Sequence, residues 1–132
     1  MNANTTFKIL DWDENPYAEF ESGAKMTRAK VTQAYEGDLV GSGSVEFLMS
    51  HSSEGSAHFV GFELVTGALA GKQGTFIIQH VGTFGSSGAH SEWTIVPGSG
   101  TGELTGILGK GGYTATGETV DMSFTYEIKN DA

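Results

Sequence analysis

The sequence predicts an all-β fold, a closed antiparallel β-barrel of about eight strands with little or no helix. Three observations carry that prediction. Segments such as Lys25–Glu36, Leu39–Ser50 and Thr119–Lys129 alternate apolar and polar residues, the period-two mark of a half-buried strand. The chain holds 20 glycines against 2 prolines and no Gly-X-Y period, which suits tight turns and bulges rather than collagen or a flexible linker. Strand-like runs recur roughly every 10–13 residues, with connections short enough for antiparallel neighbours. Eight or so hairpin-linked strands close into an up-and-down barrel, which removes exposed sheet edges.

Taken in order, residues 1–4 are polar and expected to be frayed and disordered. Thr5–Trp12 is a short strand that Asp13–Pro16 breaks, and Tyr17–Glu21 continues as an extended edge segment before the Ser22-Gly23 turn. In Lys25–Glu36, Ala29, Val31 and Tyr35 share one face and Arg28, Lys30, Thr32 and Glu36 the other. Gly37-Asp38 is a hairpin turn that needs positive φ. Leu39–Ser50 places Leu39, Val45, Phe47 and Met49 inside, with Gly41 and Gly43 on the same face, where a missing side chain permits strong coiling.

Ala57–Leu69 and Thr75–Phe84 are apolar on both faces. Such strands are covered on both sides, by a barrel core inside and by a neighbouring segment or a second subunit outside. Ala89–Val96 carries Trp93 and Ile95 on one face; Pro97–Gly102 is a loop; Glu103–Lys110 is a short strand, and Gly111-Gly112 leads to Tyr113–Thr116. Thr119–Lys129 closes the chain with Val120, Met122, Phe124, Tyr126 and Ile128 facing in.

The 132 residues fit one domain, 1–132, large enough for a single core. Sixteen carboxylates against seven Lys and Arg give a net charge of −9. That balance excludes a phosphate track as partner, so no nucleic acid is expected, and no anionic membrane surface either. With no cysteine, disulfides and thiolate zinc sites are ruled out. The start MNANTTFKILDWDE lacks a basic segment followed by an apolar one, and no run reaches the length of a membrane-spanning helix, so a cytoplasmic protein is expected.

The motif PGSGTGELTG has the glycines of a phosphate-binding loop without the helix N-terminus that such a loop needs. It reads as a structural turn. His51, His58, His80 and His90 show no shared-face spacing, so no metal and no cofactor are implied. Three polar residues sit oddly in apolar runs. Glu63 is flanked by Phe62 and Leu64, and a carboxylate there either finds Arg28, Lys25 or a hydroxyl as partner or faces a ligand. Gln79 and His80 are adjacent in a strand and point to opposite faces, so only one lines the interior. Trp93, with Trp12, Tyr35, Phe47 and Tyr126, supplies an aromatic wall suited to packing or to stacking on a ligand. The candidate lining is therefore Glu63, Gln79, His80, Trp93, Tyr35, Phe47 and Tyr126.

The run Gly61-Phe62-Glu63, Thr66-Gly67, Gly71, Gly74-Thr75-Phe76 and Gln79-His80, followed by Trp93 to Gly106, resembles a bacterial family of uncharacterised small proteins. That family is grouped with the allene-oxide-cyclase-like barrels, which include the plant dirigent proteins. The resemblance covers residues 25–129. It implies an eight-stranded barrel with an interior pocket, membership of a group whose proteins are often homo-oligomers, and no catalytic position. Three functions are compatible with these residues. One is a barrel that binds a small apolar molecule. Another is a cyclase or isomerase acting in the same pocket through Glu63 or His80. The last is a filled structural barrel without ligand.

Overall fold

The computed structural model describes residues 1–129, so the last three residues of the expected 1–132 domain lie outside the description. Eight strands close into an antiparallel barrel in sequence order, each paired with its chain neighbours and β8 with β1. They are β1 (Asn2–Glu19), β2 (Lys25–Gly37), β3 (Leu39–His51), β4 (Ala57–Leu69), β5 (Lys72–Gly85), β6 (Gly88–Ile95), β7 (Ile107–Ala115) and β8 (Thr119–Ile128).

The alternation in sequence becomes an alternation of burial. On β2, Thr27, Ala29, Val31, Gln33 and Tyr35 are buried while the residues between them are not. β8 buries Val120, Met122, Phe124 and Tyr126 in the same way. Each fully buried large apolar side chain contributes roughly 1.5–3 kcal/mol.

Three expectations are corrected. Residues 2–4 are not frayed: Asn2–Lys8 pairs with Thr119–Thr125 of β8, and Ala3 is buried. The pairing that orders them is with the far end of the chain. Asp13–Pro16 does not end the first strand either, since β1 pairs with β2 as far as Glu19. Beyond Lys8 that strand has no pairing with β8, and Pro16, which lacks an N–H, is tolerated on the free edge. Lastly, Glu103 opens no strand. Gly102–Leu104 is a single 3₁₀ turn, and β7 runs unbroken through Gly111-Gly112.

The 3₁₀ turn matters because Leu104 is fully buried with Leu39, Leu69, Ile95 and Ile107. It plugs one end of the barrel. The opposite end is reached by the extended part of β1. A bulge at Leu10 changes the parity of that strand, so Trp12 pairs with Val31 and stands over the barrel mouth, its ring centroid 6.2 Å from that of Phe47. The interior apolar side chains fall into two clusters. The larger fills the plugged end; the smaller (Ala29, Val31, Val45, Phe47, Met49, Ala57, Phe59) lies toward the mouth.

Candidate functional site

A polar layer lies where the two apolar clusters meet. Its centre is Glu63 on β4, fully buried. Glu63 is accommodated because β3 has no side chain at Gly43, where a methyl group would overlap the Glu63 carboxylate and crowd the Tyr35 ring. The carboxylate accepts at both oxygens. Oε1 lies 2.7 Å from His80 Nε2. Oε2 accepts from the Tyr35 hydroxyl and from Gln33 Nε2, the latter at 2.9 Å. Gln33 Nε2 also lies 2.9 Å from the Tyr35 oxygen, to which it donates. His80 Nδ1 lies 3.0 Å from Ser91 Oγ. A carboxylate oxygen only accepts, so His80 Nε2–H donates to Glu63, and Nδ1 pairs with the Ser91 hydroxyl.

So many donors on one carboxylate offset the cost of burying it. Of the partners expected from sequence, Lys25 and Arg28 are exposed and take no part, whereas a hydroxyl, that of Tyr35, does. Burial first, and then the Glu63 charge, push the phenols of Tyr35 and Tyr113 well above their ordinary value. Both stay protonated donors at neutral pH.

Above the layer, toward the mouth, is a small interior cavity of about 70 Å³. Phe7, Val31, Phe47, Met49 and Phe59 form its apolar wall, and Gln33 and Tyr113 contribute the polar groups. Trp12 and Phe84 line it too, yet remain 44% and 47% exposed, so they stand at its entrance. The Phe47 and Tyr113 rings also face the His80 ring, at centroid distances of 5.6 and 6.2 Å. The cavity walls therefore touch the polar layer directly.

The sequence candidates divide accordingly. Glu63, His80 and Tyr35 form the layer, and Phe47 lines the cavity. Gln79 does not line the interior: strand parity turns it outward, onto a broad open hollow shared with Glu92, Thr94 and Lys110. Trp93 and Tyr126 point inward but pack deeper, against Phe124 in the plugged half, and neither lines the cavity. Among the described residues Trp93 Nε1 is a buried donor with no acceptor. Sequence reasoning passed over Gln33, Ser91, Tyr113, Phe59 and Phe84. For Gln33 the signal was present, since it shares the parity of Val31 and Tyr35.

A second polar group sits at the rim. Glu14 Oε2 lies 2.7 Å from Thr27 Oγ1, which donates to it, and 2.8 Å from His51 Nε2; Trp12 Nε1 donates to Glu14 Oε1 at 2.9 Å. Partial burial alone would raise the Glu14 pKa, but hydrogen bonds from Thr27, Trp12 and His51 hold it below the ordinary value.

The family model for a protein of unknown function, DUF3224, matches residues 3–126. The chain belongs to the DUF3224 family. A crystal structure of a DUF3224 protein of unknown function from Shewanella oneidensis MR-1 is 28% identical and superposes with a TM-score of 0.80, covering 98% of this chain and 99% of that one. No curated protein matches. Among the described residues no helix is long and apolar enough to cross a membrane.

Proposed function

We propose that this DUF3224 barrel binds a small, largely apolar molecule through its open end. One observation carries the reading: two large aromatic side chains, Trp12 and Phe84, are left half-exposed at the entrance to an apolar cavity whose far side meets a hydrogen-bonded polar layer. An aromatic entrance and a few convergent polar groups are the usual make-up of a ligand site. The cavity is smaller than the roughly 300–1,000 Å³ of common ligand pockets. Only a polar head and a short stretch of ligand fit inside, and the remainder lies between Trp12 and Phe84. The likeness to allene-oxide-cyclase-type barrels and a cytoplasmic setting belong to the same proposal.

Acid–base catalysis by Glu63 or His80 is favoured less. Both Glu63 oxygens and both His80 ring nitrogens are already engaged, and neither residue lines the cavity. Native mass spectrometry of protein purified from its own host, with thermal shifts across a lipid and metabolite panel, tests the proposal. A retained small molecule, or a stabilising ligand whose effect is lost in Trp12→Ala and Phe84→Ala, is expected. No retained molecule and no shift would leave the filled structural barrel as the reading.

The proposal extends to self-association. Val60, Phe62, Leu64 and Val81, with Leu48 beside them, are about half-exposed on the outer face of β3–β5, and none of the described residues covers them. The outward residues His58–Ala68 of β4 and Gln73–Thr83 of β5 include no Asp, Glu, Lys or Arg. Two copies at −9 each repel, so an uncharged apolar face is where they meet at least cost. Sedimentation is expected to show an oligomer that Phe62→Lys dissociates; a monomeric wild-type protein contradicts this.

A further inference from the structure

Building on the proposed binding role, we infer that the site selects ligands that present a hydrogen-bond donor, an alcohol or amine head group, over isosteres that only accept. The inference rests on the orientation of Gln33. This side chain is only 6% exposed and lines the cavity. Its amide orientation is fixed by chemistry: Glu63 Oε2 accepts, so the group 2.9 Å away is the Nε2 donor. The same nitrogen donates to Tyr35. Both donor directions are therefore spent inside the polar layer, and the carbonyl Oε1 is left over. Among the described residues Oε1 has no hydrogen-bond partner, and it is not sealed in the core. Among the described residues, the open volume that this side chain lines is the cavity.

The layer beneath Gln33 is built around the Glu63 carboxyl group, whose partners are Gln33, Tyr35 and His80. Apart from Gln33 and Tyr113, the lining is aromatic or aliphatic, which fixes the rest of the ligand as apolar. A ligand that displaces water from Oε1 without replacing its hydrogen bond leaves a buried acceptor unpaired.

The test is a chemical-shift titration of the Met49 methyl group in the wild-type protein, with 1-pentanol and 2-pentanone as a pair matched in chain length. The alcohol is expected to bind roughly five- to a hundredfold more tightly than the ketone. Equal affinities would overturn donor selection while leaving the binding role intact. If neither compound shifts Met49, the binding role itself fails, and this inference with it.

Discussion

Gly43 is the residue on which the polar layer depends most. Its missing side chain is the space that the Glu63 carboxylate occupies. Gly43→Ala pushes Glu63 away from Gln33 and Tyr35 and leaves a buried charge short of donors. That loss is expected to cost about 3 kcal/mol, read as a fall in Tm of roughly 10 °C. Gly117→Ala, where an added methyl meets nothing, is the control and is expected to leave Tm unchanged. Equal, small effects at both positions would contradict the described fit. At this scale the sequence was partly legible. Glu63 stood out because its neighbours are apolar, and parity alone separated Gln79 from His80. Parity gives the face of a strand but not the height in the barrel, and height is set by long-range register. Trp93 and Tyr126 face inward yet pack against Phe124 and do not line the cavity.

The first strand carries the most at the level of elements. Its bulge at Leu10 swings Trp12 over the mouth, and its extension, paired on one side only with β2, brings Glu14 within reach of Thr27 on β2 and His51 on β3. The Glu14 pKa is lowered in the folded protein. A depressed carboxylate stabilises above its unfolded pKa, and that contribution is lost as pH falls through the folded value. The rim is therefore expected to loosen below about pH 4, near the ordinary carboxylate range, while the barrel stays closed. The indole N–H resonance of Trp12, which donates to Glu14, reports it. A resonance unchanged until global acid unfolding would contradict the role given to Glu14. Local sequence could not show this rim. Asp13–Pro16 looks like a strand breaker in isolation, and only pairing with β2 along a free edge makes the extension stable. Residues 2–4 were misjudged for a related reason, since their partners on β8 lie at the other end of the chain.

As a whole molecule, the barrel is asymmetric along its axis. One end is plugged by Leu104 from the 3₁₀ turn, and the other opens between Trp12 and Phe84. The closed eight-stranded architecture was legible from alternation, turn spacing and glycine content, because closure follows from strand number and hairpin connectivity. The plug was not legible: Gly-Ser-Gly-Thr-Gly signals a turn, but nothing in the motif says that Leu104 folds back into the barrel end. Ligand identity is likewise unreadable from strands that share one apolar-in pattern. The central claim is that the open end holds an accessible apolar cavity above the polar layer. A crystal structure under xenon pressure tests it most directly. The account predicts a xenon atom inside the barrel, between Phe47, Phe59 and Phe84 on the mouth side of Gln33. Xenon confined to the outer surface, with none in the interior, would contradict it.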